Sequence, residues 1–459
     1  MNDASIKRAA LRVAVLASFM VPFVSSAVNI AIPSIGKEFG SDPVALAWIT
    51  TSYVLASVAI LLPVGRLADI YGRRRMLKYG ILIHTLASAL CMVAGSTSQL
   101  VAFRCLQGLG GAMFFGPCVA IVASVFPEGK RGEALGITAA AVYLGIALGP
   151  SVGGFMTEYL GWRSIFGANI MLGAIIVLLV YTTLKGEWSD AGGERFDVGG
   201  SILYCAALVA TIFGFSHLIE PFGAPFFVAG LLCLVVFVVL EARSKSPMMN
   251  ITLFTRNRTF AFSNAAALIN YSATATTAFL VSIYLQDIKG LDPGQAGLVM
   301  LVQAAIQTLC SPLAGRLSDR IEPRVLSSIG MALTTIGLVL LSLLRGSSSL
   351  AHVISALALL GLGFGFFSSP NTNAVMSSVE KRSYGIASSM LGTARMVGML
   401  FSMGAVMLLL NAYMGRVQMT PDNYPAFLTA VRVAFSIFAV LCGLGIFASL
   451  ARGKLHNNR

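Results

Sequence analysis

Two arginines lie inside long apolar runs, and they bring the most unusual chemistry in the chain. Arg104 stands about 4 residues into the run at 100–126, and Arg395 about 10 residues into the run at 385–411. On insertion scales a charge in a bilayer interior costs about 2.5–3.5 kcal/mol, so each needs a partner or a task. A guanidinium presents a planar fork of donors that suits a carboxylate or a phosphate. No acid answers either arginine at depth, because all 19 Asp and Glu fall in loops or at the ends of apolar runs. Three titratable groups are left as proton carriers: His84 within a run, and Glu158 and Asp287 at run ends. Amides complete the set. They are Asn29 near Ser25 and Ser26, Gln107, Asn270 beside Tyr271, Gln303 and Gln307 four apart on one helical face, and Asn371 and Asn373 after Pro370, where a break in the helix is expected. With Arg104 and Arg395, these amides are the expected contacts of a small-molecule substrate. No nucleophile–base pair, metal-ligand set or phosphate-binding loop appears, so an enzyme is excluded. The seven cysteines are isolated and form no CxxC, which indicates neither a metal site nor a disulfide framework. No cofactor is expected.

The elements that carry these residues follow from composition. The chain has 459 residues, of which 56% are hydrophobic and 11% charged, with a mean hydropathy of +0.82. About 25% charge is usual for a soluble domain, so this composition belongs in a bilayer. Apolar runs between charged or Gly/Pro breaks predict fourteen spans, near 12–36, 46–66, 77–96, 100–126, 134–157, 163–184, 198–218, 224–242, 260–286, 295–315, 324–344, 350–378, 385–411 and 427–451. The net charge of +13 resides in short loops, which points away from nucleic acid. Counted by alternate loops, 24 basic residues fall on the side of the N-terminus and 6 on the other. That split predicts both termini on the cytoplasmic side.

The sequence repeats itself. Gly65-Arg66-Leu67-Ala68-Asp69 returns as Gly315-Arg316-Leu317-Ser318-Asp319, 250 residues later. Gly108-Leu109-Gly110 returns as Gly361-Leu362-Gly363, and Lys130-Arg131 as Lys381-Arg382. Two six-helix halves at 1–184 and 259–459 are therefore expected, with two inserted helices and their flanking loops at 185–258. The flanking segment 185–197, with Glu187, Asp190, Glu194 and Asp197, reads as a solvated loop. Repeated halves place a substrate site between them, and access alternates as they rock.

Glycines and charges cluster at the turns and in the fifth span. Gly65, Asp69, Gly72, Arg73 and Arg74 form a tight loop after the second span, with Asp319 its echo. Asp69 gains nothing from the orientation rule, so a gate latch is expected of it. Gly145, Gly149 and Gly153 recur every four residues and line one helical face that lets another helix come close. Pro150 favours a bend beside them, and Gly154 follows. These motifs, with Arg104-Gln107-Gly108-Gly110 and the Gly161-Trp162-Arg163 turn leading to Phe166 and Asn169, resemble the major facilitator superfamily, in particular its fourteen-span drug:proton antiporter branch.

The resemblance implies an all-α integral membrane fold with alternating access, gating by the loop and fifth-span motifs, and proton-driven export of small organic compounds. In the pattern that ends Val28-Asn29-Ile30-Ala31-Ile32-Pro33, Val24 stands where the family has an aspartate. With no central carboxylate, neutral, zwitterionic or anionic solutes are expected ahead of permanent cations. An exporter or facilitator of an organic anion or metabolite is the alternative within transport, and a non-transporting membrane sensor the alternative outside it. The expected setting is a cell membrane, with lipid, a small solute and protons as partners and a monomer as the working unit.

Overall fold

The computed structural model describes residues 3–126, 128–184, 186–188, 196–243, 252–318, 320–379 and 384–453. Among them every long regular element is a helix. In chain order these are α1 (Asp3–Phe39), α2 (Pro43–Tyr71), α3 (Arg73–Met92), α4 (Thr97–Val125), α5 (Glu128–Leu160), α6 (Arg163–Thr182), α7 (Val198–Ser216), α8 (Gly223–Arg243), α9 (Thr252–Arg256), α10 (Arg258–Thr274), α11 (Thr277–Ile283), α12 (Pro293–Leu317), α13 (Pro323–Ser342), α14 (Leu350–Ser377), α15 (Tyr384–Met414) and α16 (Tyr424–Leu450). Among the described residues, thirteen helical stretches are long and apolar enough to cross a membrane. The span expected near 77–96 is α3, whose first turns carry Arg73, Arg74, Arg75 and Lys78 and so dilute its hydropathy. The protein is a multi-pass membrane protein. Leu309 and Phe447 are each 70% exposed, an arrangement that water penalises and hydrocarbon accepts.

Local chemistry sets several helix starts. Ser96, Asn257 and Ser349 cap α4, α10 and α14 by accepting from the backbone N–H three residues on. Pro370 lies inside an unbroken α14, contrary to the expected break. The break falls instead at 275–276, between α10 and α11, and α11 runs on into a π-helical turn at Tyr284–Ile288. Thr274 Oγ1 bonds back to the Asn270 carbonyl at 2.8 Å just before this break. Such back-bonding competes with the helical ladder and bends helices.

The chain divides into two compact units: Met1–Ser41, Ala45–Ala206 and Asp292–Gly297 in the first, and Asp42–Val44, Ala207–Leu291 and Leu298–Arg459 in the second. In the first, α1 packs along α5 and α3 along α4. A methyl placed on Gly145 would stand 2.5 Å from the Phe19 carbonyl oxygen, so the glycine face of α5 is the one that admits α1. In the second, α10 packs along α15 and α13 along α14. Gly398 meets the Leu268 carbonyl oxygen at the same 2.5 Å. Gly110 against His84 N and Gly363 against Thr334 N form another such pair. The sequence repeat is thus a repeat of helix crossings.

Candidate functional site

In the first unit the predicted residues Arg104, Gln107 and His84 converge in one buried cluster. Because α4 begins at Thr97, Arg104 lies about 10 Å along the helix, deeper than expected, and it is 0% exposed. Its Nε donates to the Ile49 carbonyl at 3.2 Å, its Nη1 donates to Gln107 Oε1, and its guanidinium lies 4.4 Å from the centre of the Tyr53 ring. Gln107 Nε2 donates to Ser88 Oγ at 2.7 Å, and Ser88 Oγ donates to the His84 carbonyl at 2.7 Å. Asn169 Nδ2 reaches both Ser88 Oγ at 2.6 Å and His84 Nε2 at 3.2 Å.

These directions fix the imidazole. The Gln107 carbonyl, 3.0 Å from His84 Nδ1, can only accept, so Nδ1 carries the proton and Nε2 accepts from the Asn169 amide. Both ring nitrogens of His84 are thus taken up by protein partners. The cluster ties α2, α3, α4 and α6 together through polar groups bound to one another. In the sequence Asn169 is marked only by the turn motif, and Ser88 and Tyr53 are not marked, since no local pattern announces a partner on another helix.

The gating motif is also knit within this unit. Asp69 Oδ1 accepts from Arg73 Nη2 at 2.8 Å, and Arg73 Nη1 donates to Ser124 Oγ at 2.8 Å. Gly65 has open space around it, whereas Gly72, at φ 110°, presses on the Glu187 side chain. Glu187 accepts from the Arg74 N–H at 2.7 Å at the start of α3, while Arg73 N–H donates to the Trp188 carbonyl at 2.8 Å. Residues 186–188, read as solvated loop, therefore cap α3. Asp319 lies outside the described residues.

Gly149 meets Ser26 Cβ and Gly153 meets Ala27 Cβ, completing the α1 contact, and Gly154 faces the opposite way onto the Pro293 carbonyl. Glu158, one turn further along α5, accepts from the Gly294 N–H at 3.1 Å in the first turn of α12. Pro150 is contained in an unbroken α5, its carbonyl facing Gly297. Asn29 Oδ1 accepts from Thr50 Oγ1 at 3.1 Å.

In the second unit the groups are more open. Arg395 is partly exposed; its Nη2 donates to Thr372 Oγ1 at 2.6 Å and its guanidinium stands 5.6 Å from the Tyr271 ring centre. Tyr271 meets Phe364 edge-on at 5.1 Å. No carboxylate among the described residues pairs with Arg395, and its Nε is buried without a partner. Asn373 Nδ2 donates to Ser318 Oγ at 2.8 Å. Gln307 is buried and Gln303 half-buried, on the face of α12 that Gly361 and Gly365 approach. Asp287 sits in the π-helical turn. Asn270 and Asn371 are fully buried; neither amide group of Asn371 has a protein hydrogen bond, and Asn270 has only the Cys442 thiol beside it. A buried polar atom left unmet costs about 1–3 kcal/mol.

The sequence matches the signature of the Major Facilitator Superfamily over residues 14–265 and again over 263–457. The chain belongs to this superfamily. Among curated members it is 32% identical over 380 residues to the riboflavin transporter RibZ of Clostridioides difficile, covering 82% of each chain. It is 33% identical to the multidrug resistance protein Stp of Mycobacterium tuberculosis, covering 83% of this chain and 72% of that one. A crystal structure of a bacterial homologue of the human lysosomal transporter Spinster superposes with a TM-score of 0.68 at 17% identity, over 99% of this chain and 98% of the other. The facilitator fold and a transport rather than an enzymatic role follow. The proteins it resembles include a multidrug resistance protein and a multidrug transporter as well as a riboflavin transporter.

Proposed function

We propose that the protein is a secondary active exporter that moves small organic compounds out of the cell by proton antiport. It has fourteen spans, with α3 as the fourteenth, both termini in the cytoplasm, and works as a monomer in the cell membrane. The two halves alternate access to a site near the midplane. The observation that carries the substrate side is the Arg395 group. A partly exposed guanidinium without a carboxylate, beside a hydroxyl and an aromatic pair, suits a solute with a planar ring and an anionic or zwitterionic substituent. That one relative is a riboflavin transporter, whose cargo carries a planar ring system, agrees with this reading. Gln303, Gln307, Asn270, Asn371 and Asn373 are the amides from which further contacts are drawn.

For the first unit the geometry favours support over contact. Arg104 and Gln107 are committed to protein partners, and His84 is held in one tautomer. We therefore give the proton-linked role to Glu158 ahead of His84, with Asp287 second. Glu158 accepts from the first turn of α12, where the charge of a carboxylate is favoured and its neutralisation weakens the contact. Asp69, Arg73, Arg74 and Gly72 with the α5 glycines and Pro150 serve the gates.

Everted vesicles carrying a proton gradient test both parts. A fluorescent aromatic carboxylate is expected to accumulate, to leak back on adding a protonophore, and to lose roughly tenfold in uptake with Arg395→Ala, as for one lost charge-assisted bond. The Glu158→Gln variant is expected to keep binding and lose the protonophore response. The alternative, a facilitative anion carrier, is favoured by the same arginine and predicts uptake indifferent to protonophore. Ethidium extrusion that survives Arg395→Ala and stops with protonophore would discard the anionic solute.

A further inference from the structure

Five of the buried polar atoms without a geometric hydrogen bond lie on one span. Ser263 Oγ, Asn264 Oδ1, both amide groups of Asn270 and Thr277 Oγ1 all belong to α10 and the first residue of α11. Each of these residues is at most 2% exposed. Ser263 and Asn270 are seven apart, two turns along one face, and Thr277 follows seven further on beyond the break. The set extends about 21 Å along the span.

α10 packs along α15 and α16, and Met331 of α13 and Ile269 of α10 meet at Gly445 of α16; α16 and α13 are polar at matching levels. The Cys442 thiol lies beside the Asn270 and Thr335 side chains and donates to the Met331 carbonyl at 3.6 Å. Ser328 Oγ donates to Ser449 Oγ at 2.9 Å. Where α10 begins and α16 ends, Thr259 Oγ1 donates to the Arg452 carbonyl at 2.8 Å. There the Arg452 guanidinium, 1% exposed, reaches Ser327 Oγ at 3.5 Å and leaves Nε and Nη2 without partners.

The first unit makes the contrast plain. At the repeat offsets fixed by the paired glycine contacts, Ser263 answers to Ala14, Asn264 to Val15, Asn270 to Val21, Thr277 to Val28 and Ser327 to Leu77. Those positions are apolar, and Ala14 and Leu77 belong to a continuous hydrophobic core with Met20, Ile81 and Cys118. One unit has a dry core here and the other a polar one, although the helix crossings agree.

We infer that a file of ordered water molecules is bound in the second unit along α10, between α10, α13 and α16, held by Ser263, Asn264, Asn270 and Thr277. Ordered water needs a polar site with two to four partners, and buried polar groups in proteins are met by protein or by water. The amides and hydroxyls here supply both donors and acceptors. The bound water also serves the span's break at 275–276, because water inserted beside a helix ladder allows it to bend. Tyr271, next to Asn270, carries that bend towards the Arg395 group.

Radiolytic hydroxyl labelling of the intact protein in water enriched with oxygen-18 reads this directly, since radicals form from water bound beside the labelled side chain. Cys442 and Met331 are the reporters, and Cys118 and Met20, equally buried in the first unit, are the controls. Labelling of Cys442 and Met331 at roughly ten times the control rate or faster is the expected result, as bound water abuts one pair and not the other. Equal rates in the two pairs would overturn the proposal. Asn270→Leu is expected to bring Cys442 down to the Cys118 rate; unchanged labelling of Cys442 would remove Asn270 from the site. Should Asn270→Leu fail to fold, Ser263→Ala with Asn264→Ala provides the same comparison, and the ratio in the unaltered protein stands as the test.

Discussion

In the first unit Arg104, Gln107, Ser88, His84 and Asn169 bind one another with only two of their polar atoms, Arg104 Nη2 and Asn169 Oδ1, left over. At the repeat positions the second unit has Leu357, Leu360, Leu338 and Thr334, and, aligned by the contacts of Gly173 with Thr85 and of Gly443 with Thr335, Ala439. Its own buried amides are met less well: neither group of Asn371 has a protein hydrogen bond, and Asn270 has only the Cys442 thiol beside it. The crossings of α3 on α4 and of α13 on α14 are nevertheless built on the same glycine contacts. The difference teaches that close backbone approach, set by glycine, is what the duplicated architecture requires, while polar content at the crossings is free to diverge. One unit has used it to brace four helices through a closed network, which polarises and rigidifies. The other keeps open polar groups on the helix that breaks and that bears Tyr271.

The sharpest way to break this comparison is to open the closed network. Gln107→Leu removes the acceptor of Arg104 Nη1 and the donor to Ser88, and it leaves a guanidinium at 0% exposure with one carbonyl and one aromatic face. Leaving a buried neutral group without its hydrogen bond costs about 1–3 kcal/mol and a charged one more, so a large drop in the thermal unfolding midpoint of detergent-solubilised protein is expected. The repeat-related Leu360→Gln tests the converse. It places an amide in an apolar crossing without Arg104 or Ser88 to meet it, so it destabilises rather than restores.

Next in size is the shared feature. Gly110→Ala and Gly363→Ala each put a methyl about 2.5 Å from a backbone nitrogen of the facing helix. Overpacking of this kind costs about 1–3 kcal/mol. Both variants are expected to lower the unfolding midpoint by similar amounts. If only one of them does, the equivalence of the two crossings fails.

How far the sequence reveals this can be read from particular residues. The α5 stripe Gly145, Gly149 and Gly153 was legible because a four-residue spacing names a face, and the face does admit a helix. The repeat was legible because glycines that meet backbone cannot drift. The break at 275–276 was not, since a proline inside a membrane helix is tolerated by its surroundings while threonines that bond back along the ladder carry no simple signal. Arg104 was recognised as buried but not as closed off, because Ser88 and Asn169 come from α3 and α6. Glu187 looked like loop charge; only the fold brings it 113 residues back to the start of α3.

That contact gives the third prediction. Glu187→Gln keeps an oxygen for the Arg74 N–H but removes the charge at a helix start, where an anion contributes about 0.3–1 kcal/mol. Glu187→Ala removes the cap as well, worth about 0.5–2 kcal/mol. Hydrogen exchange of the first turn of α3 is expected to quicken in the order Ala, Gln, unaltered protein. The amides of α13, which begins at Pro323 with no side-chain cap, are expected to be unaffected in all three.

The smallest effects concern ion pairs at helix ends, one in each unit, and they separate charge from hydrogen bonding. Glu38 pairs with Arg163 at 2.7 Å and also accepts from Trp162 Nε1 at 2.7 Å, while Arg163 donates to the Ala94 carbonyl at 3.0 Å. Glu220 pairs with Arg416 at side-chain exposures of 24% and 52%. Exposed pairs contribute about 0–1 kcal/mol, and screening by salt lowers that further. Glu220→Gln is therefore expected to leave the unfolding midpoint nearly unchanged. Glu38→Gln should also do little, because a glutamine oxygen still accepts from Trp162, but Glu38→Ala strands the indole N–H against α1 and is expected to cost more than Glu220→Ala. Raising salt should erase the difference between Glu and Gln at both sites and leave the difference between Gln and Ala at residue 38, since only the latter comes from a hydrogen bond that ions do not screen.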